Sequence, residues 1–586
     1  MRKSTNKTTE ASGRNSQSSG GPDLSRRAVL AGAGAGALSL GTAPEALSST
    51  PAHEADVIVV GSGCAGYVAA VCAAKRGNRV LILEKSTMAG GTTAKSSGVW
   101  WVPNNALMQR DGLADPREDA LRYMARCSFP ALYNPSAPNL GLSEHDLSLL
   151  EAYYDNASEM TEELAALDAL HATYSAGYDG AKYPDYFEHL PENKAPYGRG
   201  LRPDVPPEKA AQGGAEMIKM LAAAGERLGV QIKLGHRVTE LLREKSGRVN
   251  GVTAKKGDTT LSFKARKGVI FASGGFTHNL ELAAAFLPGP ISGGCAVASN
   301  TGDFVEIATR AGAQLDHMNK AWWSELVFEQ AAAYRAVPDD VFFYPNGSSF
   351  LVNRFGRRVV DEKMAYNERS QIHFVWDPVR AEFLNQLLFL VYDEKVRMEA
   401  GKSRYTYPLP PGGGSAPYVI SGGTFEELAT NVDARLQKLI AANKLASTVR
   451  LAPDFVTELA ATTKRFNRFA KTGVDLDFGR GKTVVDRSLE HAVPNGQPNP
   501  TMYPFSAKGP YYCIIIAAGT LDTKGGPRVD AQARVLDTSD KPIPGLFGAG
   551  NCIASPAGAA YWGGGGTIGP AMVWGYLAAK TVSQKI

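Results

Sequence analysis

The stretch that decides the fold is Asp56–Asn105, DVIVVGSGCAGYVAAVCAAKRGNRVLILEKSTMAGGTTAKSSGVWWVPNN. It opens with an apolar run, Val57–Val60, long enough for one buried parallel strand. Gly61-x-Gly63-x-x-Gly66 follows, and then an Ala-rich stretch, Tyr67–Lys75, that reads as a helix and stops at Gly77. A second apolar run, Val80–Leu83, ends on Glu84. This is the order of a dinucleotide-binding βαβ unit. Its first glycine makes the tight turn, its second lets the backbone approach a pyrophosphate, and its third lets helix pack on strand. The helix N-terminus offers free N–H groups and a positive dipole end to phosphates. Glu84, 18 residues past Gly66, is placed to accept hydrogen bonds from a ribose. An acid there argues against a 2′-phosphate, and so against NADP.

The totals bound the rest. A chain of 586 residues with 44% hydrophobic content is long enough for two large domains of ordinary globular composition. The formal net charge of +5 is small for this size and no Lys/Arg run stands out, so nucleic acid is not a partner. The six cysteines form no CxxC pair and sit near no His cluster with metal spacing. No disulfide or metal is required.

Residues 1–51 read as a leader. The first 24 are polar and rich in Ser, Thr and Gly, as in a disordered tail. Ser25-Arg26-Arg27-Ala28-Val29-Leu30 and the AGAGAGALSLG that follows resemble a twin-arginine export signal, with Val29 and Ala31 departing from the usual residues. The implied location is periplasmic or otherwise outside the cytoplasm; the alternative is a basic tail on a cytoplasmic protein. No other stretch reaches the length of a membrane span. Residues 52–325 and 506–586 are expected to form one α/β domain, with 326–505, where the composition shifts to Phe, Tyr and Pro, inserted as a second domain. Helices are expected in Pro116–Leu170, Gln212–Arg227, Phe425–Ala442, Pro453–Ala470 and Ala571–Lys580, and β-runs in Val230–Leu234, Val238–Leu242 and Lys267–Phe276. Asn300 or Asp303 is placed to cap a helix. Pro570 suits a first helical turn, and that last helix would aim its positive end at a cofactor.

The continuation of the opening stretch, Gly90-Gly91-Thr92-Thr93 and Ser97-Gly98, resembles the flavoprotein family that includes fumarate reductases and 3-ketosteroid dehydrogenases. From Asp56 onward the chain resembles 3-ketosteroid Δ1-dehydrogenases in particular. The matching segments, in family order, include GGTTAKSSGVWWVPNN, KYPDYF, Ala321-Trp322-Trp323, NRFGRRVVDEKMAYN, FAKTGVDLDFGRG, KGPYYC and GLFGAGN…YWGGGGTIGPAM. The resemblance implies a Rossmann-like FAD-binding domain with an inserted catalytic, substrate-capping domain of α+β character. It implies FAD, bound non-covalently because no His sits in the Gly/Thr loop. The FAD residues would be Gly61, Gly63, Gly66, Glu84, Gly91, Thr92, Ser97, Gly98, Val238 at the adenine, Gly274, Gly550, Asn551 and Ile568. Tyr366 matches the family's base, Tyr186 the tyrosine that assists it, Tyr561 the donor to the substrate ketone, and Gly565 the backbone N–H that completes that pair.

The residue types fit a 1,2-dehydrogenation of a 3-ketosteroid. Two donors on the C3 ketone acidify the C2 proton, a base removes it, and hydride leaves C1. An ordinary tyrosine has a pKa of ~10, so Tyr366 must be depressed or must relay its proton through Tyr186. The chain departs from the family at the loop Tyr561-Trp562-Gly563-Gly564-Gly565, where Tyr-Pro-Gly-Pro-Gly is usual. Trp562 is large and bears on the fit of a steroid A-ring, and the missing prolines are expected to loosen the loop. They leave open a steroid with another ring or side chain, or another cyclic ketone. The rivals are a dehydrogenase or ene-reductase acting on another bond, a fumarate reductase, and a non-catalytic electron-transfer flavoprotein. Gly550–Pro570 contains no Arg or His to clamp a dicarboxylate, which argues against the fumarate reductase. With no CxxCH motif or second nucleotide site, electrons would leave to an external quinone or cytochrome. Peripheral membrane contact is plausible for so apolar a substrate.

Overall fold

A computed structural model describes residues 53–176, 181–400, 406–446, 448–488 and 495–584. The leader and its twin-arginine-like segment lie outside the described residues. Strand β1 (His53–Val60) leads into helix α1 (Cys64–Lys75) and strand β2 (Val80–Leu83). The helix begins three residues earlier than its Ala-rich pattern suggests. Gly63 is its N-cap, and the tail of the glycine fingerprint forms its first turn. Helices α2 (Arg117–Ser128), α3 (Glu144–Ala166) and α4 (Gly213–Arg227) follow, then strands β3 (Gln231–Lys233), β4 (Arg237–Arg243), β5 (Val249–Lys256) and β6 (Thr259–Phe271).

Further on come β7 (Ala321–Val327), β8 (Ser349–Val352), β9 (Leu387–Asp393), β10 (Ile420–Gly422), α5 (Phe425–Ala441), α6 (Phe455–Thr472) and β11 (Tyr511–Thr523). The chain closes with β12 (Arg534–Leu536), β13 (Pro542–Gly548) and α7 (Ile568–Val582).

The first sheet has the order β12-β13-β6-β1-β2-β3, with β5 joining β6 and β4 joining β5. Its centre, β13-β6-β1-β2-β3, is parallel. Parallel strands are covered on both faces, which is why Val57, Ile58 and Val59 are fully buried and the run is continuously apolar. Helix α1 packs against α7. They cross so closely that a Cβ at Gly575 would lie 2.4 Å from the Ala65 carbonyl oxygen. The first βαβ unit and the last helix therefore build one layer. The second sheet is antiparallel, in the order β7-β11-β9-β8, with β10 also on β11. Helices α5 and α6 cover it through Leu428, Val432, Leu436, Leu459 and Phe466. This sheet reaches beyond residues 326 and 505: β7 starts at Ala321 and β11 runs to Thr523.

One local expectation is corrected. The helix Asp303–Arg310 is capped by Gly302 at φ +75°, with no side-chain cap bond. Tertiary partners take both candidate caps. Asn300 donates to Asp522 and Thr92, and Asp303 accepts from Lys85 and Arg237.

Candidate active site

Three tyrosines from distant segments meet in one cavity. Tyr186 and Tyr366 hydroxyls lie 3.1 Å apart. The ring centroids are 5.7 Å apart for Tyr186–Tyr366, 5.2 Å for Tyr186–Tyr561 and 5.4 Å for Tyr366–Tyr561. All three side chains are buried in the wall. Burial pushes the phenols of Tyr186 and Tyr366 well above the ordinary tyrosine range, and the neighbouring phenols push Tyr366 the same way. Burial also raises Tyr561.

Each tyrosine is held by buried polar or aromatic packing. Before Tyr186, Asp185 accepts from Trp101 Nε1 at 2.7 Å and from Arg199 at 2.6 Å. Arg199 also forks onto Asp115. Burial works against the Arg199 charge, but Asp185 and Asp115 outweigh it and hold the guanidinium protonated. Tyr366 opens a single helical turn ended by Arg369. Arg369 donates to Glu325 at 2.6 Å and to the carbonyls of Glu362, Met364, Val341 and Phe342. One buried cation thus ties Tyr366 to Phe342, whose ring lies 5.0 Å from it. Tyr561 packs edge-on against Trp322 at 5.2 Å. Lys524 Nζ sits 3.8 Å over the Trp322 ring and donates to the Ala560 carbonyl at 2.6 Å, which positions the residue before Tyr561. Burial lowers the Lys524 pKa well below its ordinary value.

Trp562 does not crowd the cavity. Its indole is fully buried, bonds Ser128 Oγ at 3.0 Å and lies 5.2 Å from both Trp101 and Tyr153. Nor is the loop loose. The Trp562 carbonyl accepts from Tyr186 N and Tyr123 Oη, and the Gly565 carbonyl accepts from Trp101 N and Gly569 N. The tryptophan does by packing what the missing prolines would do by stiffness. Gly565 has φ +92°, and a Cβ there would lie 2.5 Å from the Trp100 backbone. Its N–H takes no partner among the described residues.

The cavity, about 570 Å³, continues from the tyrosines to the glycine fingerprint. That is the size of a small-molecule or cofactor site. Gly61, Gly63, Glu84, Gly91, Thr92, Ser97, Val238, Gly274, Gly550, Asn551 and Ile568 all line it. Gly66 and Gly98 do not. A Cβ would lie 2.1 Å from the Gly61 oxygen at the first and 2.4 Å from the Gly213 backbone at the second, so their smallness serves chain packing. Glu84 accepts from Ser62 N, Ser62 Oγ and Ser86 N. Sequence reasoning missed Asp522, the hub of this wall. It accepts from Gly275 N, Asn300 Nδ2 and Asn551 Nδ2, and Asn551 in turn accepts from Trp322 Nε1. It lies at the end of β11, far in sequence from each partner, and no local pattern marks it.

Residues 56–568 match the FAD binding domain family. The chain is 30% identical to 4-oxocyclohexanecarboxylate 2-dehydrogenase of Sinomonas cyclohexanicum, covering 92% of this chain and 94% of that one. It is 30% identical to 3-oxosteroid 1-dehydrogenase of Mycolicibacterium smegmatis, covering 91% and 97%. The crystal structure of 3-ketosteroid Δ1-dehydrogenase from Sterolibacterium denitrificans, in complex with 1,4-androstadiene-3,17-dione, superposes with a TM-score of 0.74 at 27% identity, covering 91% of this chain and 99% of that chain.

The chain belongs to the 3-oxosteroid 1-dehydrogenase family of FAD-dependent flavoproteins.

As a member of this family it is an FAD-dependent oxidoreductase acting on CH–CH groups. Its residues fit the cofactor. Gly63 is extended at φ −68°, and a Cβ built there meets only Thr93 Oγ1, at 3.6 Å, so this glycine leaves room above the α1 N-terminus. Neither α1 nor α7 carries an acid in its first turn. Both helix ends therefore face the cavity with unopposed positive dipoles.

Proposed function

We propose that this dehydrogenase removes hydrogen from the adjacent α- and β-carbons of a cyclic ketone of the 3-ketosteroid class. The observation that carries the reading is the clustering of Tyr186, Tyr366 and Tyr561 in the cavity that also holds the dinucleotide cradle. Tyr561 Oη and the Gly565 N–H donate to the ketone oxygen, where enolate charge develops. Tyr366 Oη, as the phenolate, accepts the proton from the α-carbon, and Tyr186, in hydrogen-bond contact with it, is the relay through which Tyr366 gives up its proton to solvent and returns to the phenolate. FAD, when bound, supplies the two-electron acceptor for the hydride leaving the β-carbon. The surrounding Trp322, Phe342 and tyrosine rings exclude water and stiffen the donors. Each preorganised donor is worth about 3 kcal/mol of barrier. The named relatives support a cyclic ketone, one a small ring and one a steroid.

The test is anaerobic mixing of the holoenzyme with 4-androstene-3,17-dione. Bleaching of the oxidised-flavin band with a Δ1 product by mass is expected. A flavin that stays oxidised with every cyclic ketone, but is reoxidised from the reduced state by enones, would make the enzyme a reductase. We also propose an external quinone or cytochrome as electron acceptor, peripheral contact with a membrane, and export through the twin-arginine route. Among the described residues no helix is long and apolar enough to cross a membrane. Cell fractionation with an Arg26→Lys/Arg27→Lys leader tests the export: retention in the cytoplasm is expected, and unchanged location would overturn it.

A further inference from the structure

The cavity wall holds a cation that is left without a partner among the described residues. Among the charged residues that line the cavity, Lys85 pairs with Asp303 at 2.9 Å, and Lys95 donates to the carbonyls of Cys295 and Val337. Glu84 and Asp522 are occupied as described above. Arg202 differs. It lines the cavity, its side chain is half-buried, and its Nε is shut off from solvent without a hydrogen-bond partner. No hydrogen bond or ion pair of its guanidinium occurs among the described residues.

Its position is set by backbone. Arg202 sits in the short strand Gly200–Pro203, between Trp100–Trp101 and Ala172–Tyr174. Gly200, two residues earlier and therefore on the same face of the strand, lies against the loop that carries Tyr561. A Cβ built there would stand 3.6 Å from the Gly564 oxygen and 3.5 Å from Ser175 Cβ. Ser175, Ala176, Tyr183 and Tyr186 line the same stretch of wall. The guanidinium thus belongs to the end of the cavity where the tyrosines are.

A guanidinium carries five donors in a planar fork that matches a carboxylate, and it stays charged at any working pH. A partly buried charge-bearing N–H without a partner is costly in the free protein. An anionic oxygen pair supplied by the substrate would remove that cost on binding. A purely apolar steroid offers nothing to it.

We propose that the substrate is a cyclic ketone bearing a carboxylate, and that Arg202 binds that carboxylate while Tyr561 and Gly565 hold the ketone. This rests on the reading of the tyrosine cluster given under Proposed function. The acid has two possible sources, a small oxocyclohexane acid or a steroid with an acidic side chain, and both present the same two groups at different separations.

The experiment uses the holoenzyme and pairs of substrates that differ only in charge: 4-oxocyclohexanecarboxylate against its methyl ester, and a 3-oxo-4-ene steroid side-chain acid against its methyl ester. Flavin bleaching gives kcat/KM for each. At least one acid is expected to exceed its ester by about 100-fold or more, and which acid does so identifies the source. In Arg202→Met that preference should fall to near one through a rise in KM, with FAD content and ester turnover unchanged. Arg202→Lys should restore part of it. Equal rates for acid and ester in both pairs would overturn the proposal. So would an Arg202→Met enzyme that loses FAD, or that slows equally on acid and ester, because the guanidinium would then serve the cofactor. If neutral ketones bleach the flavin while the acids show no advantage, this inference alone fails. If no ketone of either kind bleaches it, the parent reading fails as well.

Discussion

Tyr366 works in surroundings that oppose its ionisation. It is buried beside two other phenols, and the nearest cation of its own turn, Arg369, is committed to Glu325 and four carbonyls. A raised pKa means that the phenolate, the form able to take a proton, is scarce at neutral pH. The turnover number should therefore climb with pH, about tenfold per unit where proton abstraction limits, and should not level off below pH 10. A plateau near neutrality in kcat against pH would show that bound substrate and cofactor depress Tyr366. Replacing Tyr366 with Phe should lower kcat by roughly 10²–10⁴ and abolish the pH dependence, with the flavin spectrum intact. Tyr561→Phe should cost about 10²–10³ in kcat, the worth of one oxyanion donor. Both are measured by single-turnover flavin reduction.

At the scale of the element, the three fingerprint glycines separate into two kinds. Gly66→Ala would place a Cβ 2.1 Å from the Gly61 oxygen, so α1 and β1 must part. That overpacking should destabilise the protein by about 1–3 kcal/mol, read as a lowered Cm in urea. Gly63→Ala meets only Thr93 Oγ1 at 3.6 Å and needs no unusual backbone. The apoprotein should keep its stability to within about 0.5 kcal/mol. FAD affinity, titrated by flavin fluorescence quenching, should fall at least tenfold. The loop Tyr561–Gly565 makes the complementary case. Its stiffness comes from Trp562, wedged among Trp101, Tyr153 and Ser128. Trp562→Ala should cost about 3–5 kcal/mol of stability through the cavity it leaves. It should also lower kcat, because Tyr186 N–H is anchored on the Trp562 carbonyl. Trp562→Phe should recover part of both.

Across the whole molecule, the site is a meeting of segments that are remote in sequence. The cofactor wall runs from Val60 to Ala571, and it takes residues from β1, β6, the end of β11 and the start of α7. The three clustered tyrosines come from before α4, from between β8 and β9, and from before α7. Such a cavity exists only in the fully folded chain. FAD should then bind the native state alone and stabilise it by about 4 kcal/mol at a thousandfold excess over its Kd. Calorimetry of apo- and holoenzyme should show a single transition whose midpoint rises with FAD concentration. An unfolding profile in which the second sheet melts separately, without response to FAD, would contradict this.

The sequence alone determined what depends on local pattern. An apolar run, a glycine fingerprint, an Ala-rich helix and an acid at the right distance specify a βαβ cradle, because strand burial, turn sterics and helix dipoles act over a few residues. Most helices were legible for the same reason. Tyr186, Tyr366 and Tyr561 carry no such local signal, and only the resemblance of their segments to a known family singled them out. The tertiary structure alone decided which polar groups find each other. Asn300 reads as a cap, yet it is drawn to Asp522, because a buried carboxylate hundreds of residues away is a stronger partner than a helix end. Trp562 reads as a bulky departure from the family loop, yet it turns into the aromatic layer behind it, where its ring is shielded from water and its N–H meets Ser128. Arg202 carries no motif at all. That it finds no partner among the described residues is visible only once the chain has closed around it, since a missing partner depends on what the fold brings near and not on the residues beside it in sequence.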